Sequence, residues 1–298
     1  MQSEDTIGVV PPTTAADDNP IQVYHELFNS QDADAVLGSK DGVLFRVHSC
    51  VLKTTSGWFR AMFSLPQKER TSDDAAVTVY VDEDAATLEA LLRCVCGMAI
   101  PRLDSYDMIE VLLFAAEKYD MPGPPSIVRA MVATPALLSD PVRLFVLACR
   151  YGWNDVVQMA SIQTLSLNIF DDKYLPSLEK LTSKSLLRLL GFHRGRREAL
   201  RVRLNEPPFI HDGGDSSCSH CGSSVEYHAW RELKHKMMTE MDVRPLGDTI
   251  YEGGLSDWPE AQRCWNARCT NCNRVLYDKK GTQRVIRECI QQLPMTLE

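Results

Sequence analysis

The stretch Asp41–Pro66, DGVLFRVHSCVLKTTSGWFRAMFSLP, constrains the fold more than any other. It opens on Asp41-Gly42, a hairpin-turn dipeptide, and runs into VLFRV at Val43–Val47, a β-leaning segment. A second such run, ADAVL at Ala33–Leu37, precedes the Ser39–Gly42 turn, so the two are expected to pair as a hairpin. The period then changes. Leu52, Phe59 and Phe63 recur at intervals of seven and four, with Met62 and Leu65 near the same face, which is helical spacing. Ser56-Gly57 interrupts that pattern and predicts two short helices, with Ser56 as the N-cap of the second.

The neighbouring sequence extends this plan. Ile21–Asn29 (IQVYHELFN) is compatible with a short helix or an extended segment, and Val77–Val81 (VTVYV) reads as a third strand. A charged, breaker-rich loop spans Gln67–Ala75. Asp82–Gly97 reads as a helix capped by Asp84, with Leu88, Leu91, Leu92 and Val95 on one face and Gly97 at its end. Asp104–Tyr119 is another, with Ile109, Leu112, Leu113 and Ala116 at helical spacing. Met121-Pro-Gly-Pro-Pro125 is expected to break the chain.

Asp34 and Val36 on the first run, Phe45 and His48 on the second, then Val51-Leu52, Ser56, Phe59 and Met62-Phe63, form a pattern that resembles the BTB (POZ) domain. The resemblance covers residues 22–132, and the layout is similar to BTB proteins of the fungal type with a BACK-like helical extension. It implies an α+β interaction module, a small sheet with flanking helices, that forms homodimers or docks other proteins. Some relatives bring substrates to a cullin-type ubiquitin ligase, and in them the loop after the Phe-rich helix carries a hydrophobic–x–Glu pattern. Here that loop reads Leu65-Pro66-Gln67, with Gln in place of Glu. Phe63 and Leu65 are the candidate partner contacts that the resemblance implies.

Beyond residue 126 the periodicity is helical for about eighty residues. Leu144, Leu147, Ala148 and Tyr151 form one stripe, Val156, Val157 and Ala160 start a second, and Leu186, Leu187 and Leu190 belong to a third. Pro141 suits a helix N1 position. Glu206-Pro-Pro208 and His211-Asp-Gly-Gly214 mark a linker. The expected organisation is a disordered tail at 1–21, the BTB-type domain at 22–132, a helical extension at 133–205, a linker at 206–217 and a Cys-rich helical module at 218–298.

Several residue types invite chemical readings. His48 lies two positions from Cys50, but no third group orients the pair. His48 is expected to hydrogen-bond backbone at a strand–helix junction, and Cys50, Cys94, Cys96 and Cys149 to be core or near-core residues. Arg194, Arg196, Arg197, Arg201 and Arg203 form a basic run, read as a solvated helix face in preference to an anion site. Cys218-Ser-His-Cys221-Gly222 and Cys269-Thr-Asn-Cys272-Asn273 carry a stronger signal. Two C-x-x-C units supply the four soft ligands that tetrahedral zinc takes. The Gly and Asn that follow them tolerate the left-handed backbone of a tight turn around a metal. Cys218, Cys221, Cys269 and Cys272 are therefore the expected structural zinc ligands, with His220, His228 and Cys264 as alternatives.

The function read from the sequence is protein–protein interaction as an adaptor or scaffold, without catalysis. No glycine-rich phosphate loop and no Ser/His/Asp arrangement is present. A cullin adaptor is the same domain with a specified partner. A transcription regulator whose Cys-rich module touches nucleic acid is the reading from another class. The net charge of −8, and 11 Lys/Arg against 13 Asp/Glu in residues 210–298, weigh against nucleic acid. No apolar run approaches a membrane span, and ten cysteines with no signal-peptide pattern lead to the expectation of an intracellular protein, cytoplasmic or nuclear.

Overall fold

The computed structural model describes residues 23–65, 77–132, 134–210 and 217–297. The expected tail at 1–21, the loop carrying Gln67 and much of the expected linker lie outside them. Backbone contacts divide the chain into two compact units, Met1–Arg102 with Val111–Ile127, and Leu103–Glu110 with Val128–Glu298.

The first unit is an α+β structure built on a four-stranded mixed sheet in the order β1-β3-β2-β4. Its strands are β1 Val23–Asn29, β2 Ala35–Gly38, β3 Val43–Val47 and β4 Val77–Tyr80. β2 and β3 form the expected antiparallel hairpin, with Leu37 opposite Phe45, and Gly42 turns it at a φ of 89°. β1 joins β3 and β4 joins β2, both in parallel. All four residues of β2 are buried, as befits a strand with neighbours on both sides.

The hairpin delivers the chain into α1 (Ser49–Thr55) and α2 (Gly57–Ser64). β2 starts two residues later than expected because Asp34 turns to serve α1 instead. Its carboxylate accepts from the Ser49 amide at 2.7 Å and the Ser49 hydroxyl at 2.6 Å. That hydroxyl holds the Asp34 carboxyl below its ordinary range. Ser56 caps α2 as expected, accepting from the Phe59 amide at 3.0 Å. Its hydroxyl also donates to the Tyr119 carbonyl at 2.5 Å, and the Gly57 amide donates to Asp120 O at 3.0 Å. A Cβ on Gly57 would come within 1.8 Å of the Asp120 carboxylate, which is why glycine stands there. Leu52 and Phe59 are buried, and the rings of Phe59 and Tyr119 stack with centroids 5.4 Å apart.

α3 (Ala85–Val95) is capped by Asp84 through the Thr87 amide, and α4 (Tyr106–Lys118) buries Ile109, Leu112, Leu113 and Ala116. The expected break over Met121–Pro125 is shorter than anticipated. α5 begins at Gly123 and runs to Met131, with Pro124 and Pro125 in its first turn, where helix amides have no intrahelical partner to lose. Two residues at the strand–helix junction also depart from expectation. Cys50 is exposed rather than core, and the His48 imidazole lies 3.8 Å from the Asp32 carboxylate rather than on backbone. Cys94, Cys96 and Cys149 are half-buried.

Among the described residues, the second unit's regular structure is helical apart from two isolated β-bridges. α6 (Pro135–Leu138) leads to α7 (Pro141–Tyr151) and α8 (Asn154–Thr164), and Pro141 stands at the start of α7, whose N-cap Asp140 accepts from the Arg143 amide. A short α9 (Leu175–Leu178) precedes α10 (Ser183–Arg203), the longest helix. The stripe expected on α10 is displaced. Leu187 is exposed, and the buried positions are Leu189, Phe192, His193, Arg196 and Leu200. The basic run is therefore not a uniformly solvated face. Arg196 is 1% exposed, and its guanidinium donates to the carbonyls of Pro245, Leu246, Leu293 and Pro294. Burial lowers its pKa to about 10.

The remaining helices are α11 (His228–Val243), α12 (Leu255–Asp257), α13 (Pro259–Asn266) and α14 (Lys279–Gln291), with a π-helical turn at Ile250–Gly254. α11 starts three residues later than its apolar pattern suggested. A shared core includes Trp230, Met237, Met241, Ile250, Trp265 and Ile286.

Candidate metal centre

Two short hairpins of the same design present the four cysteines. In the first, Ser217 bridges Ser224; in the second, Arg268 bridges Val275. The Cys218 amide donates to Ser223 O at 2.8 Å and the Gly222 amide to Cys218 O at 2.9 Å. In the second hairpin the Cys269 amide donates to Arg274 O and the Asn273 amide to Cys269 O, both at 2.9 Å. The tight return requires a left-handed residue after the second cysteine. Gly222 adopts a φ of 69° and Asn273 one of 56°.

Helical neighbours carry the hairpins. The first leads into α11 through Tyr227, whose hydroxyl donates to Ser217 O at 3.3 Å. The second leaves α13, and Leu276 N returns to Ala267 O at 3.0 Å. The rings of Tyr227 and Tyr277, one beyond each hairpin, meet edge to face at 5.8 Å.

The four Sγ atoms lie within 4.8 Å of one another. Cys218 Sγ is 3.6 Å from Cys272 Sγ, and Cys221 Sγ is 3.6 Å from Cys269 Sγ. A disulfide requires about 2.05 Å. A tetrahedron of sulfurs around zinc at about 2.3 Å has edges of about 3.8 Å, so the donor set fits that metal in number, type and spacing. Cys218 and Cys269 are buried, Cys272 is half-buried and Cys221 is exposed.

The surroundings favour thiolate at two positions. The Ser223 hydroxyl lies 2.9 Å from Cys221 Sγ and 3.4 Å from Cys269 Sγ. Together with the Cys272 and Asn271 amides, Ser223 brings the Cys269 thiol down to about 6, and Ser223 lowers Cys221 as well. Cys272 goes the other way. The Arg274 amide favours its thiolate, but burial and the neighbouring thiols outweigh that and push it up to about 11. Four sulfurs this close cannot all ionise unless a cation offsets their repulsion.

The alternative ligands are not part of this group. Cys264 is wholly buried in the apolar core and pushed up to about 12 by desolvation. His220 Nδ1 lies 3.1 Å from an Arg274 nitrogen, and His228 Nε2 is 3.2 Å from Glu232. Of the candidate partner contacts, Leu65 is 64% exposed at the end of α2, while Phe63 is half-buried, its ring beneath the Lys53 ammonium at 5.3 Å and stacked on Phe59. Arg196, read from the sequence as part of a solvated face, falls four residues after Phe192 and four before Leu200, and that spacing was the signal of its burial.

Residues 24–134 match the BTB/POZ domain family, a family of protein-interaction modules that bind other proteins and dimerise. No curated protein matches the chain. No helix among the described residues is long and apolar enough to cross a membrane.

Proposed function

We propose that this protein is an intracellular adaptor or scaffold, acting in the cytoplasm or nucleus, whose BTB/POZ domain docks partner proteins and pairs with a second copy. The BTB/POZ match at residues 24–134 carries this reading. Residues 133–205 serve as a BACK-like extension in a layout of the fungal type, and residues 218–298 form a Cys-rich module packed in the same compact unit. Zinc held by Cys218, Cys221, Cys269 and Cys272 staples that module. The support is the pair of 3.6 Å sulfur–sulfur separations in two matching hairpins. Four thiolates fill the coordination sphere and leave no position for a substrate or water, so the metal's role is structural.

Leu65, a large apolar side chain 64% exposed at the end of α2, favours partner contact at the Phe63–Leu65 end of that helix. A cullin is the specific partner to test there. Affinity capture of the full chain, read by mass spectrometry, should return a reproducible partner set that Leu65→Asp depletes. Capture of a cullin, lost in that variant, would make the protein a ubiquitin-ligase adaptor. An identical partner set for wild type and a variant lacking residues 24–134 would overturn the docking role. Elemental analysis should find about one zinc per chain, and metal-free protein folding normally with reduced cysteines would overturn the staple.

A further inference from the structure

We propose that the groove between α8 and α10 is a recognition site for a short extended peptide, and that the chain's own segment Pro294–Leu297 is an exchangeable occupant of it. The proposal rests neither on the BTB/POZ domain nor on the metal. The segment has no regular structure, and the bonds that hold it come from side chains of the two helices. The Gln158 carboxamide on α8 pairs with Leu297 as a neighbouring strand would. Its Nε2 donates to Leu297 O at 2.6 Å, and its Oε1 accepts from the Leu297 amide at 2.9 Å. Arg196 on α10 donates to Pro294 O and to the Met295 sulfur, the latter at 3.1 Å. The Leu297 side chain is buried, whereas Pro294, Met295 and Thr296 are exposed. A groove that grips main-chain groups and buries one aliphatic side chain reads a peptide by those bonds and that anchor, and another chain with the same anchor can make them.

The segment does not fill the groove. A cleft of about 370 Å³ remains beside it, lined from α10 by Gly191, Phe192 and Gly195 and from the segment by Pro294, Thr296 and Leu297. Arg188 and Arg196 complete the lining. Glycine is a poor choice inside a helix, and two of them one turn apart weaken α10. Their own surroundings do not require them, since a Cβ on either would meet nothing within 4 Å among the described residues. A ligand that approaches the α10 backbone does require them. The ligand class follows from this space. It is a peptide that keeps the proline and the leucine of the segment and carries a larger apolar residue where Thr296 stands, beside Phe192 and over the glycines. Filling the cleft adds apolar burial that the segment lacks. That surplus is what lets a partner compete with an occupant tethered at an effective concentration on the order of mM.

The test is fluorescence anisotropy of the full chain with a labelled peptide, the sequence of residues 292–297 carrying Thr296→Phe. Leu297→Asp in the protein expels its own segment, so this variant should bind the peptide at least about tenfold more tightly than wild type. Adding Gln158→Leu to it removes both main-chain bonds and should weaken binding at least about tenfold. Adding Gly191→Ala/Gly195→Ala should weaken binding as much while raising the thermal midpoint, a combination that a merely structural role for the glycines does not produce. Should Leu297→Asp fail to fold, excess peptide must still speed hydrogen exchange at the Leu297 amide of wild type. No binding by folded Leu297→Asp, unchanged exchange, or full binding by the glycine variant would overturn the site. A wild-type dimer that the glycine variant loses would assign the cleft to a second copy and overturn the peptide.

Discussion

The sheet domain and the region from α10 to Leu297 both bring separate segments together, but by different physics. In the sheet, Ala35 meets Val77 and Leu37 meets Phe45 through backbone ladders, over a core of Leu37, Phe45, Leu52 and Phe59. Each such side chain contributes about 1.5–3 kcal/mol on burial, spread over many contacts. In the later region, polar focal points gather the chain. Cys221 and Cys269 meet 48 positions apart, and one guanidinium collects carbonyls from Pro245, Leu246, Leu293 and Pro294. Distributed apolar contacts degrade gradually when one is lost. A focal point is all or nothing.

That contrast can be broken experimentally. The largest effect should come from the thiols. With the proposed zinc bound, chelation or Cys269→Ser should remove on the order of 10 kcal/mol of metal-linked folding free energy. Hydrogen exchange should then show lost protection in α11 and α14 and intact protection in β2 and β3; protection that survives in all four elements would end the comparison. Arg196→Met comes next. It leaves several buried carbonyls without donors and should lower stability by about 3–4 kcal/mol in denaturant titration. A loss below about 1 kcal/mol would mean that the carbonyls find other partners.

His193 comes third. Burial, reinforced by Arg196, holds its pKa down to about 4. The folded protein keeps this imidazole neutral while the unfolded chain binds a proton near pH 6.5. Its contribution is therefore complete above about pH 6.5 and lost as pH falls toward 4, by up to about 3 kcal/mol. Stability measured against pH should flatten across that window in His193→Gln. In the sheet domain single polar changes should matter less. Ser56→Ala removes the α2 cap and the bond to Tyr119 O, about 1–2 kcal/mol by thermal unfolding. Leu65→Asp, at an exposed site, should change stability by less than about 0.5 kcal/mol.

The sheet domain was legible in the sequence because its determinants are local. Asp41-Gly42, the β-leaning runs and the Ser56 cap each specify their own conformation, and the structure forms the hairpin and the cap there, with β2 starting two residues late. The cysteine hairpins were legible for the same reason, since Gly222 and Asn273 reveal a left-handed turn without any knowledge of the partner hairpin. What escaped was directional. Charge composition alone cannot say which arginine of a run turns inward, and Arg196 does so because of its register with Phe192 and Leu200. Pro124 and Pro125 misled because proline breaks a helix interior but is well accommodated in its first turn. Cys50 misled because the thiol's usual preference for the interior yields to its place on the outer side of α1.

The 48-residue interval between Cys221 and Cys269 sets an order of events during synthesis. The first hairpin leaves the ribosome with two of the four clustered cysteines and waits several seconds, at about 5–20 residues per second, for the other two. Arg196 waits longer still for Leu293 and Pro294, 97 and 98 positions ahead. The sheet domain can close while these residues are still being made. The contacts that Arg196 makes with Leu293 and Pro294 form only after α14 has been made.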